Sequence, residues 1–223
     1  MLCCLVASIA VAGCQSNPVV VTDETIASRD ARLGDLKPWR ALGSLVVDSE
    51  QQGVLNASFT WEATAEGFDI HLIGPLGLKT YRITENTDGA RVTGEDQEYF
   101  GDSAEILLQE VLGVRVPLKN MQDWVVGLQG RATNAERDKL GRIRNMLVTD
   151  ADQARWKVNF QRYAAVDELE LPKRILVSGD DVEIKLSIRS WSRPEPANKN
   201  RLAIPTAGSV SYTHLTLPTI CSV

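Results

Sequence analysis

From Trp39 onward, apolar and polar residues alternate along a series of short segments. A period of two places successive side chains on opposite faces of a β-strand, so each segment has one apolar and one polar face. Turn signals separate the segments at Gly53, Glu66-Gly67, Asp88-Gly89 and Ser178-Gly179-Asp180. The alternating apolar positions are Leu45 and Val47; Phe59, Trp61 and Ala63; Phe68, Ile70 and Leu72; Tyr81 and Ile83; Trp156, Val158 and Phe160; and Val182, Ile184, Leu186 and Ile188. The pattern predicts a mainly β (α+β) protein with an antiparallel sheet that curls over an apolar interior.

Two stretches between the predicted strands have helical periodicity instead. The first is a helix capped by Asp102 or Ser103 and stopped by Gly113, and the second follows Pro117 and ends by Gly127 or Gly130. Their apolar positions are Ala104, Leu107, Leu108, Val111 and Leu112 in the first, and Leu118, Met121, Trp124, Val125 and Leu128 in the second. We expect both apolar stripes to lie across the concave side of the sheet. A further helix is predicted over residues 23–36, with Thr22 or Asp23 as its cap.

The first fourteen residues, MLCCLVASIAVAGC, form an apolar run that is too short to span a bilayer and ends in small residues, as a secretory signal does. Residues Val11-Ala12-Gly13-Cys14 resemble a bacterial lipobox, which implies cleavage before Cys14 and lipidation of that cysteine. We therefore predict a signal peptide over 1–13 and a lipidated tether over 14–24. No Lys or Arg precedes the apolar run, which departs from the pattern and leaves an upstream start open. Gln15 stands where inner-membrane lipoproteins carry Asp, so the resemblance implies a lipid-anchored location at the outer membrane, facing the periplasm.

The composition changes after Trp191. We predict a globular domain over 25–191, followed by a polar, proline-rich tail over 192–208. The last segment, SVSYTHLTLPTICSV at 209–223, resembles translated sequencing-adapter read-through and is left out of the fold prediction.

Composition and charge exclude several classes of function. The 223 residues, 43% hydrophobic and 24% charged, are typical of one ordinary globular domain. A net charge of -5 with scattered Lys and Arg shows no footprint for nucleic acid. The sequence has no glycine-rich phosphate loop, no ligand-spaced cluster of His, Cys and carboxylates, and no nucleophile placed with His71. We therefore predict no metal, no cofactor, no nucleic-acid partner and no enzymatic activity.

Three segments carry a resemblance to a known family. They are SFTWEATAEGFDIHLIGPLGLKTYRI at 58–83, VLGVRVPLKNMQDWVVGLQG at 111–130 and LPKRILVSGDDVEIKLSIRSW at 171–191. Together they resemble LolB, the outer-membrane lipoprotein receptor family, from about Trp39 to Trp191. The resemblance implies an incomplete antiparallel β-barrel with a helical lid over a hydrophobic cavity. It also implies a receptor that takes lipoproteins from the soluble periplasmic carrier LolA and releases them into the outer membrane.

On this fold, we predict that apolar residues of the strands and the lid line a cavity for acyl chains. We expect a monomer whose partners are LolA, the acyl chains of lipoproteins and, through its own anchor, outer-membrane lipid. A binding cavity and a filled core use the same residue types, so plain core positions are the alternative for each residue. The predicted lining is Phe59, Trp61, Phe68, Ile70, Leu72, Leu107, Leu108, Val111, Trp124, Val125, Trp156, Val158, Ile184 and Leu186.

The turn IGPLGLKT at 73–80 holds a leucine where turn tips are usually polar. In the LolB family the matching Pro-Leu-Gly loop projects from the barrel, so the resemblance implies a membrane-insertion loop of Pro75, Leu76 and Gly77. In the alternative, Leu76 and Leu78 fold back under the turn as a small core cluster.

Other functions remain open from the sequence. One is a structural or assembly lipoprotein of the envelope with a filled core, and another is a carrier of a different amphiphile on the same fold. A third is an envelope hydrolase, for which the sequence offers no placed nucleophile.

Overall fold

The computed structural model describes residues 22–94, 96–150 and 153–194. The predicted signal peptide, the predicted lipidation site Cys14, most of the predicted tether and nearly all of both tail segments lie outside these residues. Within the described part of the chain, no helix is both long enough and apolar enough to cross a membrane.

Three helices and eleven strands make up the described chain. In chain order they are α1 (Asp23–Gly34), β1 (Trp39–Ser49), β2 (Gly53–Ala63), β3 (Phe68–Ile73), a single 3-10 turn (Pro75–Gly77), β4 (Thr80–Asn86), β5 (Gly89–Gly94), β6 (Gln97–Gly101), α2 (Ala104–Leu112), α3 (Leu118–Val126), β7 (Asn134–Arg137), β8 (Ile143–Thr149), β9 (Arg155–Val166), β10 (Leu169–Ser178) and β11 (Val182–Ser192).

All eleven strands form one antiparallel sheet in the order β6-β5-β4-β3-β2-β1-β11-β10-β9-β8-β7. The first and last strands of this order, β6 and β7, do not pair with each other, so the sheet stays open. Strand β1 lies at the centre, paired with β2 on one side and with β11 on the other. The prediction of an incomplete antiparallel barrel with helices is confirmed.

One face of the sheet holds the core, as the alternation predicts. On β9, Trp156, Val158 and Phe160 are buried, whereas Arg155 before them and Lys157 among them are exposed. The inward side chains of all the long strands join those of α2 and α3 in a single buried cluster. At one end of this cluster Trp39 contacts Trp61 and Trp191, with ring centroids 5.8 and 5.6 Å apart. Edge contacts of this kind stabilise aromatic pairs beyond the area that they bury.

The helix boundaries follow local signals. Helix α1 begins after Thr22, whose hydroxyl accepts a hydrogen bond from the Thr25 backbone N–H. Gly113 ends α2 and Gly127 ends α3, both with a left-handed backbone conformation that glycine adopts at little cost. The predicted helix ends are confirmed at these positions. Strands β5 to β8 and β10 were not among the alternating segments. For β5, β6 and β7 the reason is that these strands are short and rich in polar residues.

Charged side chains join helix α1 to the part of the sheet formed by β11, β10, β9, β8 and β7, which we call the far half. Arg29, nearly buried, donates a hydrogen bond to the Glu170 carbonyl on β10 at 3.2 Å. Arg137 on β7 pairs with Asp30 of the helix, with Nη2 and Oδ2 2.6 Å apart. The chain that leads from the N-terminus therefore enters the domain beside β7 and β10.

The central strands approach so closely at Gly43 that a side chain would not fit. A Cβ there would overlap the Ser187 carbonyl oxygen on β11 and lie 2.8 Å from the Phe59 ring on β2. We expect Gly43→Ala to lower the free energy of unfolding by about 1–3 kcal/mol, the usual cost of overpacking. Urea denaturation measures this change.

Gly34→Ala is the matched control, since a Cβ at the end of α1 meets no atom within 4 Å. It is expected to leave stability unchanged or to raise it by about 0.4–1 kcal/mol. Equal destabilisation by the two substitutions would contradict the close approach at Gly43.

Candidate functional site

An apolar cavity of about 630 Å³ lies between the sheet and the two inner helices. Its wall is formed by β11, β1, β2, β3 and β4 on one side and by α2, the segment after it and α3 on the other. The lining residues are Leu45, Val47, Gln52, Gly53, Val54, Leu55, Asn56, Ala57, Phe59, Trp61, Ile70, Leu72, Gly74, Pro75, Leu78, Lys79, Tyr81, Ile83, Leu108, Val111, Leu112, Val114, Val116, Leu118, Met121, Ile184 and Leu186.

The structure brings part of the predicted lining together on this wall. Phe59, Trp61, Ile70, Leu72, Leu108, Val111, Ile184 and Leu186 lie on it. That acyl chains bind to them stays a prediction.

The other predicted lining residues are not on the wall of this cavity but are buried beside it. They are Phe68, Leu107, Trp124, Val125, Trp156 and Val158. The concave side of β7 to β10 is packed rather than hollow at these residues, because α3 packs against β10. Phe68 packs on the Trp61 ring, with centroids 6.4 Å apart, and Leu107 turns toward Gly101 on β6. In the described structure these six residues are buried core positions.

Several lining residues were missed by the sequence prediction. Leu55 and Ala57 continue the inward face of β2, and the period of two could have found them. Tyr81 and Ile83 on β4 were recognised as alternating apolar positions but were not included in the predicted lining. Val114 and Val116 lie between the helices, where no periodic signal operates.

The open end of the cavity carries its polar groups. Gln52, Val54 and Lys79 are exposed and lie at the β1–β2 turn and the β3–β4 loop, which occupy the same end of the sheet because the strands are antiparallel. Among the described lining residues, Lys79 alone is charged. An amphiphile would therefore enter with its chain inward and its polar head at this end.

The β3–β4 loop at this end presents a leucine to solvent. The Leu76 side chain is 94% exposed, and Leu78 is 76% exposed. Leu76 also has a left-handed backbone conformation, with φ 59° and ψ 12°, which costs a residue with a Cβ about 1–2 kcal/mol. Leu76 does not fold back under the turn, so the small core cluster is not formed. Leu78 contributes to the cavity wall instead.

Both lid helices receive their N-terminal caps from other elements. Ser103 occupies the N-cap position of α2, as predicted, but its side chain makes no cap bond. Instead Glu85 on β4 accepts from the Ala104 N–H at 2.7 Å. Pro117 makes no side-chain cap bond at α3, and the Glu105 carboxylate of α2 accepts from the Lys119 N–H at 2.9 Å. A carboxylate at a helix N-terminus satisfies free N–H groups and opposes the helix dipole. The sheet thus holds α2, and α2 in turn holds α3.

Two ion pairs complete the attachment of the lid. The Lys119 ammonium lies 3.5 Å from Glu85, which joins α3 directly to β4. At the other end of the lid, Arg115 pairs with Asp150 before β9, with Nη2 and Oδ2 3.1 Å apart. Arg115 stands between Val114 and Val116 of the cavity wall, so this pair fixes the segment that closes the cavity between the helices.

The described residues contain no group of three or more His, Cys, Asp and Glu side chains arranged to hold a metal ion. His71 is on the outer face, 4.0 Å from an Asp69 oxygen, and that carboxylate is engaged by Arg82 at 2.6 Å.

Comparison with known proteins agrees with this geometry. A family model described as outer membrane lipoprotein LolB matches residues 37–191. The chain belongs to the LolB family. The outer-membrane lipoprotein LolB of Halorhodospira halophila is 31% identical over 201 residues, covering 87% of this chain and 96% of that protein. The Vibrio cholerae LolB is 26% identical over 187 residues, covering 81% and 90%.

Solved structures show the same fold at low identity. A LolA superfamily protein from Nitrosomonas europaea superposes with a TM-score of 0.52 at 8% identity, covering 81% of this chain and 97% of that one. A putative outer membrane lipoprotein-sorting protein domain from Vibrio parahaemolyticus gives 0.52 at 10% identity, covering 80% and 94%. Membership of the LolB family gives this chain a lipid-anchored location at the outer membrane. At the level of the family, its role is that of an outer-membrane lipoprotein receptor.

The carboxylates that cap α2 and α3 from other elements predict how the lid responds to substitution. Glu85→Ala leaves the Ala104 N–H and the Lys119 ammonium without this partner. We expect a loss of about 0.5–2 kcal/mol in unfolding free energy, together with faster entry of an apolar fluorescent dye into the cavity. Glu110→Ala, on the exposed side of α2, is the control and should change neither. Unchanged dye entry in Glu85→Ala would contradict the role of this cap.

The second cap predicts a dependence on pH. Burial raises the pKa of Glu105 above its ordinary value, although the Lys119 N–H opposes the shift. A raised pKa in the folded state gives stability that is fully present below the unfolded pKa and is lost as pH rises through the folded pKa. Glu105→Gln keeps an oxygen acceptor but cannot ionise. The free energy of unfolding of the Glu105→Gln variant, relative to that of the parent protein, should therefore rise from acid to neutral pH. Urea unfolding at several pH values measures this difference. A relative loss toward neutral pH would contradict the burial argument.

Proposed function

We propose that this protein accepts lipoproteins from the soluble periplasmic carrier LolA, holds their acyl chains in the cavity and inserts them into the outer membrane. It acts as a monomer on the periplasmic side of that membrane. The observation that carries the proposal is the apolar cavity beneath the lid, whose open end lies beside the exposed Leu76. A structural lipoprotein with a filled core would have no such cavity.

The energetics of acyl chains favour a cavity of this kind. Hiding one methylene group from water is worth about 0.8 kcal/mol. A lipoprotein with two or three long chains would therefore face tens of kcal/mol if it crossed the periplasm bare. Transfer from one cavity directly to the next avoids this exposure. With no nucleotide-binding motif in the sequence, the direction of transfer follows the affinity for the chains.

The volume limits how much cargo the described conformation holds. A water molecule takes about 30 Å³ in the liquid, and a methylene group is of similar size. The 630 Å³ cavity therefore has room for roughly twenty such groups, which is about one long acyl chain. Further chains require the lid to move away from the sheet. The Arg115–Asp150 pair closes the wall between the helices and is the contact that such a movement would break.

The loop beside the open end supports release into the membrane. The apolar Leu76 side chain is held in water by a backbone conformation that is itself unfavourable. Burying one leucine supplies about 1.5–3 kcal/mol, which is too little to anchor the protein. It is enough to favour unloading where the tip meets the acyl region of the bilayer.

A transfer assay tests the acceptor role. The chain from residue 14, with Cys14→Ala to prevent lipidation, is mixed with LolA that carries a labelled lipoprotein. We expect the label to move to this protein. Ala57→Trp places an indole in the cavity and should reduce transfer at least tenfold, whereas Ala165→Trp on the exposed part of β9 should not. Equal transfer to all three folded proteins would contradict the cavity as the binding site.

The loop has a separate test in the presence of liposomes. Leu76→Glu should accept cargo from LolA as the parent chain does, because Leu76 is not part of the cavity wall. Delivery of the label to the liposomes should fall at least tenfold. Ile106→Glu, which removes a 57% exposed isoleucine on α2, controls for the loss of any exposed apolar group. Normal delivery by Leu76→Glu would exclude insertion of this loop.

One observation favours a second candidate, a carrier of another amphiphile. Lys79 places a cation at the open end of the cavity, where an anionic headgroup would meet it. Fatty acid binding and lipoprotein transfer, both measured with the Lys79→Gln variant, separate the two candidates. A carrier of anionic amphiphiles should lose its affinity for the fatty acid in this variant. A lipoprotein acceptor should keep its lipoprotein transfer.

A further inference from the structure

The outer face of the far half of the sheet is rich in cations. These side chains are exposed and alternate with the buried residues of β9, β10 and β11. We call this surface the basic face, and it consists of Arg155, Lys157, Arg162, Arg174, Lys185 and Arg189.

Like charges lie directly opposite each other on the basic face. Arg162 on β9 is the register partner of Arg174 on β10, and both side chains are exposed. Like charges in opposed positions destabilise a sheet. Glu183 pairs with Lys185 at 2.7 Å, but the described residues give Arg155, Lys157, Arg162 and Arg174 no ion-pair partner. The repulsion is therefore not compensated within the described part of the chain.

The near half of the same outer face is arranged differently. Arg40 on β1 pairs with Glu62 on β2 at 3.3 Å, and Arg82 on β4 pairs with Asp69 on β3 at 2.6 Å. These cations thus each have a carboxylate on a neighbouring strand. In a chain of net charge -5, unmatched cations collected on the adjacent strands β9 and β10 form a segregated charge, which fits an anionic partner.

We propose that the basic face docks on anionic lipid headgroups at the surface of the membrane that holds this protein. Leu147 on β8, 62% exposed and opposite Lys157, adds an apolar group beside the cations. Basic residues combined with exposed apolar residues are typical of surfaces that lie at the membrane interface. An acidic protein would also match the charge, but it would not explain the position of the anchor.

The position of the anchor favours the membrane. Residues 14 and 22 are eight residues apart, a span of at most about 30 Å, so a lipid on Cys14 keeps the domain close to the bilayer. The chain enters the domain at α1, which is bonded to β7 and β10. The strands of the basic face are thus next to the point of attachment. Headgroup contacts there would hold the domain in one orientation instead of leaving it free to turn on its tether.

This inference goes beyond cargo transfer and does not depend on it. The residues of the basic face do not line the cavity. Substituting them should leave uptake of cargo from the carrier unchanged, so failure of one proposal can be told from failure of the other.

Vesicle flotation tests the inference with the chain from residue 14 carrying Cys14→Ala. It is measured with phosphatidylcholine vesicles, with and without phosphatidylglycerol, at low and high salt. We expect binding only to the anionic vesicles, lost at high salt because exposed charges are then screened. Arg162→Glu with Arg174→Glu should weaken this binding about tenfold or more. Arg131→Glu with Lys139→Glu makes the same change in net charge at exposed positions outside β8–β11 and should bind as the parent does.

Each other outcome overturns the proposal. Equal weakening by both double variants would show a response to net charge alone, and equal binding to neutral vesicles would show that headgroup charge is not recognised. The parent chain could instead bind no vesicles but be retained on immobilised polyglutamate. If the Arg162→Glu, Arg174→Glu variant then lost this retention, the basic face would be assigned to an acidic protein. Circular dichroism of the variants establishes that they are folded.

Discussion

The structure depends on one constraint, which is that the apolar concave face of an open sheet must be kept from water. Eleven antiparallel strands direct one face inward, yet β6 and β7 do not close the barrel. A closed barrel surrounds its interior on every side, whereas an open sheet leaves its concave face exposed and needs a cover. Helices α2 and α3 supply the cover. The helices pack over β7 to β10 but leave a hollow over β1 to β4 and β11.

The attachment of the lid follows from the same constraint. A short helix laid on apolar side chains gains burial but leaves its first N–H groups without partners. Here Glu85 and Glu105 satisfy those groups from neighbouring elements, so the cover is joined to the sheet by a few polar contacts at its ends. Between these contacts the lid touches the cavity through apolar side chains alone, which adapt to an occupant more readily than hydrogen bonds do. A cover of this kind is fixed at a few polar contacts and is adaptable between them.

How far the sequence predicts this arrangement depends on the kind of signal. Alternation along β2, β3, β9 and β11 and the helical stripes at 104–112 and 118–126 predict a curled antiparallel sheet and its helices, because each element is amphipathic by itself. That the sheet stays open was implied only by the family resemblance. Alternation cannot separate Ile184, which faces the hollow, from Val158, which is packed, since both are inward residues of a strand. That difference is set by where α3 lies. The bonds from Glu85 and Glu105 to the first N–H groups of α2 and α3 were also beyond prediction, because Glu85, for example, is 19 positions from Ala104 and no local pattern relates the two. The exposed Leu76 was predicted from the family resemblance and not from its own turn.

The most direct test of this account is a map of where cargo chains lie. A lipoprotein with a photoreactive acyl chain is loaded onto the chain from residue 14 with Cys14→Ala, irradiated and analysed by peptide mass spectrometry. We predict crosslinks to the cavity wall, at Leu45, Leu72 or Leu186, and none to Trp156 or Val158 in the packed half. Crosslinks spread over both halves, or confined to the outer surface, would contradict the claim that the hollow under the lid is the cargo site.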